Sequence, residues 1–457
     1  MTVGTTAGRM AAATAVPVGF KSWWMVAVLF SLYVFSWLDR LILSMLVAPI
    51  KADLALSDFQ MSLLLGPAFA VFYAIFGLPL GWAVDRYSRR WVVFFGVSLW
   101  AMATVASGFA RSFEALLMAR ICVGIGEAAL IPAAYSLLAD EFPRERLTVA
   151  TSVFQMAGKV GSATAFGLGG IAIAFAQTLD GTDWPLLGQA GAWHLVMIMV
   201  GLPGIGMALL VFTFREPPRR EGAGVAARRP RDRGQLLTFL RANAALIGLM
   251  MAAFSGLAIC GFTLTSWVPT YIGRAFQWTP LQYGPALSLM NLVAAASLVV
   301  NGRIVDHLFS RGMKDVHLRF YSWLVLAIAP AAGWLFVTDS PYVFLVLYCV
   351  VQFATVPFMV YVSSVIALLA PNAIRGQLIA LFLFAFTMLG LGAGPALVGA
   401  LTDFVFQDEG RIGASLMIVT VTCFALAFVA MRLALRYLRP AVERAEAASA
   451  QAAATAQ

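Results

Sequence analysis

Between two long apolar runs, at 60–84 and 91–109, lies the stretch Gly81-Trp-Ala-Val-Asp85-Arg86-Tyr-Ser-Arg89-Arg90. A basic turn this short makes its flanking runs antiparallel neighbours. Each run has about the 20 residues needed to cross the hydrocarbon core of a bilayer. Reading outward, apolar stretches bounded by charges or by Pro/Gly recur at 23–50, 60–84, 91–109, 114–140, 147–175, 193–214, 242–272, 281–303, 319–337, 341–369, 376–401 and 413–438. The composition agrees, because 61% of the 457 residues are hydrophobic and only 12% are charged, against about 25% charged in a soluble chain. The expected fold is an all-α polytopic membrane protein with twelve transmembrane helices.

The formal charge of +9 does not point to nucleic acid, because its cations are scattered in short segments between apolar runs. With both termini cytoplasmic, the inner segments hold 24 of the 31 Lys and Arg and the outer loops only four, Lys51, Arg111, Arg274 and Arg411. The acids split more evenly, 11 inside and 9 outside, so the cations set the orientation. Cys122, Cys260, Cys349 and Cys423 sit in apolar segments without paired spacing, which supports neither a disulfide framework nor a metal site. No cofactor is expected.

The halves resemble each other. Gly81-x-x-x-Asp85 recurs as Gly302-x-x-x-Asp306 after 221 residues, Pro143 as Pro371 after 228, and the glycine-rich end near Gly170 as that near Gly399 after 229. Such offsets indicate a duplicated six-span unit and two pseudo-symmetric six-helix bundles. The expected organisation is a cytoplasmic tail over 1–22, bundles over 23–214 and 242–438, an Arg/Pro/Gly-rich cytoplasmic linker over 215–241, and a cytoplasmic tail over 439–457.

The decapeptide at 81–90 resembles the G-x-x-x-D-R-x-x-R-[RK] signature of the major facilitator superfamily, and Gly302-Arg303-Ile-Val-Asp306-His307 is similar to its degenerate second copy. Gly81 is expected to let two helices approach closely, and Asp85 to accept hydrogen bonds from a helix N-terminus or an arginine. The resemblance implies a cytoplasmic gate made of Gly81, Asp85, Arg86, Arg89, Arg90, Arg146 and Asp306, with Arg144 and Arg375 as further partners. A narrower resemblance, to the spinster-like branch, lies in Trp37-Leu-Asp39-Arg40, in Arg120-Ile-Cys-Val-Gly-Ile-Gly-Glu127-Ala-Ala and in Leu-Ala-Asp140-Glu-Phe-Pro. It implies a lysolipid or a sphingosine-phosphate-like lipid as substrate.

Five ionisable side chains fall inside spans: Asp39, Arg40, Arg120, Glu127 and Lys159. At about 3 kcal/mol each, five uncompensated charges would cost on the order of 15 kcal/mol, as much as a whole domain's stability of about 5–15 kcal/mol. They must be paired or hydrated. Arg120 and Glu127 are seven residues apart, on one helix face and about 10 Å apart along the axis, a charged stripe and not a direct pair. Asp39 and Arg40 are about 100° apart around span 1, so one is expected to face a central cavity and the other a neighbouring helix.

The functional expectation is a secondary transporter working by alternating access, coupled to protons through Glu127 and Asp39. Arg40, Arg120, Glu127, Asp39 and Lys159 are expected to line a substrate site, with Phe358 and Tyr361 supplying an aromatic wall from the second half. A cavity charged on one side and aromatic on the other suits an amphipathic anionic or zwitterionic ligand. Alternatives are proton-coupled transport of small organic anions or drugs and an ATP-independent lipid scramblase. The Gly pairs Gly124/Gly126 and Gly390–Gly394 are expected to serve close packing or hinging. His194, His307 and His317 lack metal-ligand spacing, and neither a nucleophile elbow nor a phosphate loop occurs, so no enzyme is expected. The expected partners are the small substrate, protons and membrane lipids, with no nucleic acid. The chain is expected to act as a monomer in a bacterial inner membrane.

Overall fold

The computed structural model describes residues 19–184, 188–219, 233–313 and 315–455. The expected N-terminal tail up to residue 18 and residues 220–232 of the expected linker lie outside the described residues. Among the described residues twelve helices are long and apolar enough to cross a membrane. They are span 1 Phe20–Met45, span 2 Asp58–Arg86, span 3 Arg89–Ser107, span 4 Phe113–Glu141, span 5 Glu145–Gln177, span 6 Ala192–Phe212, span 7 Ala244–Phe276, span 8 Pro280–Ser310, span 9 Val316–Trp334, span 10 Pro341–Leu369, span 11 Ala373–Phe406 and span 12 Glu409–Arg444. The strand content among the described residues is one two-residue antiparallel pair, Asp183–Trp184 with Gly188–Gln189. Inside the expected linker, Arg233–Ala242 is helical, and its Leu236, Phe239 and Leu240 pack on the core. Span 12 continues as one helix to Thr455.

The duplication has a local physical signature. The short helix Val47–Leu54 ends on Ala55 in the left-handed region, and Ser57 then opens span 2 with a capping box to Gln60. Span 7 likewise ends on left-handed Gln277, and Thr279 opens span 8 with a capping box to Gln282. Turn and cap thus recur 222 residues apart.

The two ends of the molecule differ. The arginine-rich end carries the 2–3, 4–5, 6–7, 8–9 and 10–11 connections; the arginine-poor end carries the others. At the arginine-poor end the halves meet backbone to backbone. A Cβ on Gly66 of span 2 would lie 2.6 Å from the Leu391 carbonyl oxygen of span 11, and one on Gly399 would lie 2.7 Å from that of Asp58. Gly170 of span 5 and Gly284 of span 8 lie equally tight on Pro280 and Phe166. One continuous core therefore runs through the C-terminal half and takes in Ile42, Leu64, Phe166 and Trp193 from the other half. A second core lies mostly in the N-terminal half, with Leu29, Trp100 and Phe154, and takes in Leu391 of span 11.

Toward the arginine-rich end nothing lies within 4 Å of a Cβ built on Gly77, Gly81, Gly302 or Gly376. Gly81 therefore does not serve the close helix approach expected of it. The glycines that do are Gly124 and Gly126, whose Cβ atoms would sit 2.6 Å from the carbonyl oxygens of Phe69 and Gly96. Gly390 and Gly394 press on span 7 in the same way, beside a run of π-helical turns over Phe386–Ala393.

Gly124→Ala should therefore lower the thermal unfolding midpoint of the detergent-solubilised protein, by about 1–3 kcal/mol of overpacking. Gly81→Ala should leave the midpoint unchanged or raise it, since it adds helix propensity of up to about 1 kcal/mol without a clash. Equal losses in both variants would contradict this packing.

Candidate functional site

Span 1 supplies two charges to the middle of the N-terminal half and span 4 supplies the other two. The Arg40 Nη2 donates to Glu127 Oε2 at 2.5 Å, and the Ser36 hydroxyl, one turn earlier, donates to the same oxygen at 2.6 Å. Asp39 turns toward span 3, where the Thr104 hydroxyl donates to its Oδ1 at 2.5 Å, and toward Arg120, whose Nη1 lies 3.9 Å from its Oδ2. The guanidinium of Arg40 lies 4.3 Å from the ring centre of Phe69 and 5.0 Å from that of Trp37, a placement that stabilises a desolvated cation.

Asp39 and Arg40 both enter one cluster, Asp39 fully buried against spans 3 and 4 and Arg40 keeping part of its surface exposed. Arg120 and Glu127 lie on one face of span 4, two turns apart, and each span 1 charge meets a different one of them. Arg40 keeps 13% of its side-chain surface exposed and Glu127 1%; Asp39 keeps none. The cluster carries two positive and two negative charges, which removes most of the burial cost. Even so, Asp39 Oδ2, Glu127 Oε1, Arg40 Nε, Arg120 Nε and Arg120 Nη2 find no hydrogen-bond partner among the described residues.

Lys159 on span 5 is half-buried and has no ion-pair or hydrogen-bond partner among the described residues. It lies one turn beyond Gln155, which bonds the Tyr135 hydroxyl of span 4, and two turns before Phe166, which meets span 8. The expected aromatic wall is different from the sequence reading. Tyr361 is buried, stacks on Tyr321 at 3.9 Å and donates to Asn301 Oδ1 at 3.1 Å, so it is spent inside the C-terminal half. Phe358 is half-buried and meets Phe386 edge-on at 5.2 Å.

The residues of the 81–90 turn are not arranged as the expected gate. Asp85 is exposed and its side chain makes no hydrogen bond or ion pair among the described residues, as is also true of the side chains of Arg146 and Asp306. The side chain of Arg144 lies outside the described residues, and Arg375 bonds carbonyls of its own half, Ala367 and Ala370. Arg86 lies over Trp82, and Arg90 over Phe212.

Arg89 is the organising residue. Buried to 1%, it pairs with Asp140 at the end of span 4 and, through Nε, with Glu216 Oε1 at 2.9 Å, while its Nη2 donates to the Pro217 carbonyl at 2.6 Å. The Ser88 hydroxyl holds the other Glu216 oxygen at 2.5 Å, and Arg219 donates to the Val84 and Tyr87 carbonyls. This latch ties spans 2, 3, 4 and 6 to one another within one half. Glu216 and Thr104 carried no sequence signal for these roles, whereas Ser36 sits at the helical spacing i−4 from Arg40 and was legible as a neighbour.

The Major Facilitator Superfamily sequence profile matches residues 29–316, on a fold of twelve spans with this turn between spans 2 and 3. The chain belongs to the major facilitator superfamily. It is a transporter of the alternating-access class. This superfamily member is 27% identical to an MFS-type efflux pump of Mycolicibacterium smegmatis, over 93% of this chain and 95% of that one. It is 30% identical to Protein spinster homolog 1 of Xenopus tropicalis, over 57% of this chain and 48% of that one. In fold it is similar to the crystal structure of a bacterial homolog of the human lysosomal transporter Spinster in an inward-facing, unoccupied conformation, with a TM-score of 0.78 at 22% identity, covering 93% of this chain and 98% of that one.

The latch makes a pH prediction for this superfamily member. Burial pushes the Glu216 carboxyl up, but hydrogen bonds from Ser88 and from the Arg89 amide and guanidinium outweigh it and hold the group below the ordinary carboxylate range. A depressed carboxylate stabilises the fold above its unfolded value of about 4.3 and loses that contribution as pH falls through its folded value. Glu216→Gln should therefore melt below wild type at neutral pH, and the gap should close as pH is lowered below about 4. A gap that persists into acid would refute the charged latch. Arg89→Ala should cost more, about 3–5 kcal/mol, because it strips a buried carboxylate of its cation.

Proposed function

We propose that the chain is a proton-coupled secondary active transporter that moves an amphipathic anionic or zwitterionic substrate, such as a lysolipid or sphingosine-phosphate-like lipid, between its two halves. The observation that carries this reading is the cluster of Asp39, Arg40, Arg120 and Glu127, neutral as a whole yet under-bonded atom by atom. A purely structural ion-pair network in a bilayer satisfies its donors and acceptors, because each unmet one costs free energy. Five unmet atoms at one place supply hydrogen-bonding capacity for a proton and a head group.

Coupling follows from the pairing. Glu127 faces Arg40 and Ser36 of span 1, with Asp39 and Arg120 beyond them. A proton on Glu127 removes the anion that holds Arg40 and leaves that guanidinium free for an anionic head group. An anion on Arg40 likewise takes away the cation that Glu127 faces. Proton and anion therefore favour each other's binding. Asp39 with Arg120 repeats the arrangement at a more deeply buried position. Lys159 adds a cation with no counter-charge, and Phe358 offers an apolar surface from the other half. The names of the spinster relatives accord with a lipid-like substrate; that of the mycobacterial relative favours a second reading, export of amphipathic drugs.

In this reading the arginine-rich end is cytoplasmic, the protein lies in a bacterial inner membrane with both termini inside, and the separated ends form an inward-facing state. The Asp85 group then acts on the cytoplasmic side only when the halves close there.

The test is thermal stabilisation by lysolipids, sphingoid phosphates, organic anions and amphipathic drugs in wild type and Arg120→Ala, followed by transport in proteoliposomes. We expect a lysolipid or sphingoid phosphate to stabilise wild type and to lose that effect in the variant. Glu127→Gln is expected to abolish the response of transport to an imposed pH gradient, because the amide cannot take up the proton. Stabilisation by drugs alone would favour the second reading, and an unchanged pH response would end the proton role of Glu127.

A further inference from the structure

Spans 9 and 12 run antiparallel, and the outer side of their seam is built from two facing stripes. On span 9, Arg319, Trp323, Leu326 and Ala329 follow one another at helical spacing, and on span 12 so do Val421, Ala425, Val429, Arg432 and Arg436. Between the apolar parts of the stripes lies a groove of about 210 Å³, floored by buried Val325 and Phe424 and rimmed by exposed Leu326, Val421 and Val429. Val421 to Val429 covers about 12 Å of helix, a length of acyl chain. Where the groove ends toward the arginine-rich end, Trp323 leans on Phe428 at 6.4 Å and carries the Arg432 guanidinium 5.2 Å from its ring centre. Beyond it opens a polar hollow of about 260 Å³, in which Arg319 and Arg439 both donate to Asp315 Oδ2, at 2.7 and 2.9 Å, with Glu443 on the rim.

The four charges of the hollow sum to zero. Arg432 and Arg436, by contrast, are exposed and make no ion pair or hydrogen bond among the described residues. Arg432 precedes Arg439 by seven residues and so lies about 10 Å deeper along the helix. A guanidinium turned outward at that depth is costly unless an anion meets it. The corresponding seam of the other half, between spans 3 and 6, is closed by its own rings. There Phe212 meets Trp91 at 4.8 Å and Phe94 at 5.1 Å, and Arg90 covers Phe212. The seam of spans 9 and 12 keeps the cation over a ring but leaves the groove beside it open.

We propose that this seam binds one anionic phospholipid of the surrounding leaflet. Its phosphodiester sits on Arg432 and Arg436, one acyl chain lies in the groove over Val325 and Phe424, and Trp323 stands between them at the level of the glycerol. The groove supplies attraction for any chain, and the two arginines select the charged headgroup. The rest of the headgroup extends toward the neutral hollow at Asp315. A helix of another protein would have to bring an apolar ridge and an anion at one fixed separation. A phospholipid carries both in one molecule, with its phosphate at the depth where these arginines lie. The site is on the outside of the C-terminal half, on other helices than Asp39, Arg40, Arg120 and Glu127, so it does not depend on what the transporter carries.

The test is native mass spectrometry of the full chain in detergent, with dioleoyl phosphatidylglycerol or dioleoyl phosphatidylcholine added. Wild type is expected to retain one phosphatidylglycerol under conditions that strip phosphatidylcholine. Arg432→Gln combined with Arg436→Gln should lower the retained fraction about tenfold or more. Ala425→Trp fills the groove and leaves every charge in place, and should lower it by a similar factor. Val429→Trp serves the same purpose if Ala425→Trp does not elute as a monodisperse species. Arg215→Gln removes an exposed arginine from the same end of the other half and should change nothing, and excess glycerol phosphate should not displace the lipid. Equal retention of the two lipids by wild type overturns the site. So does retention at the wild-type level in either the arginine pair or the filled groove, since a basic surface alone needs no groove and a groove alone needs no arginines. A matching loss in Arg215→Gln would reduce the effect to general attraction, and displacement by glycerol phosphate would make the ligand a soluble anion; either result overturns the proposal.

Discussion

A charge placed in hydrocarbon must bring its counter-charge with it, and the interior of this protein is organised around that constraint. Desolvation of each ion costs several kcal/mol, so four of the five charges inside the N-terminal half occur as Arg40 with Glu127 and Asp39 with Arg120, and the fifth, Lys159, is half-buried. Spans 1 and 4 are held at a fixed register by these two pairs, and the close packing at Gly124 and Gly126 fixes span 4 against spans 2 and 3. The register is electrostatic as well as steric.

The same rule separates three stations along the molecule. At the arginine-rich end, Arg89 binds Asp140 and Glu216 and stiffens one half internally. In the middle, the four-charge cluster is also confined to one half, but it leaves five polar atoms unmet. At the arginine-poor end, Asp58 and Arg274 join the two halves. The first makes a rigid body and the third joins two such bodies. Only the middle station combines burial with spare bonding capacity, as a site that takes up and releases a ligand requires.

The halves have diverged within their shared architecture. Turn geometry and capping boxes recur at Ala55–Gln60 and Gln277–Gln282, while the interior of the C-terminal half carries uncharged aromatic and amide groups such as Tyr321, Tyr361 and Asn301. Even the end latch is reworked, with Asp315 accepting from Arg319 and Arg439 where Arg89 donates in the other half. A chemically specialised half moving against an apolar one is a reasonable division for a transporter.

The sequence by itself determined the twelve spans, the duplication and the five interior charges, because span length, hydropathy and the rarity of buried ions are properties of single segments. It also marked Arg89 within its motif and isolated Lys51 and Arg274 among the four cations expected on the sparse side. Pairing was decided only by the tertiary structure. Thr104 opposite Asp39, Glu216 beneath Arg89 and Asp58 across from Arg274 are 65, 127 and 216 residues from those partners, and no periodicity relates them. The same holds for Gly81, which has no neighbour within 4 Å of a built Cβ, and for Tyr361, whose ring stacks on Tyr321. A helix's sequence specifies what its faces carry; which face meets which charge is settled only when the helices pack.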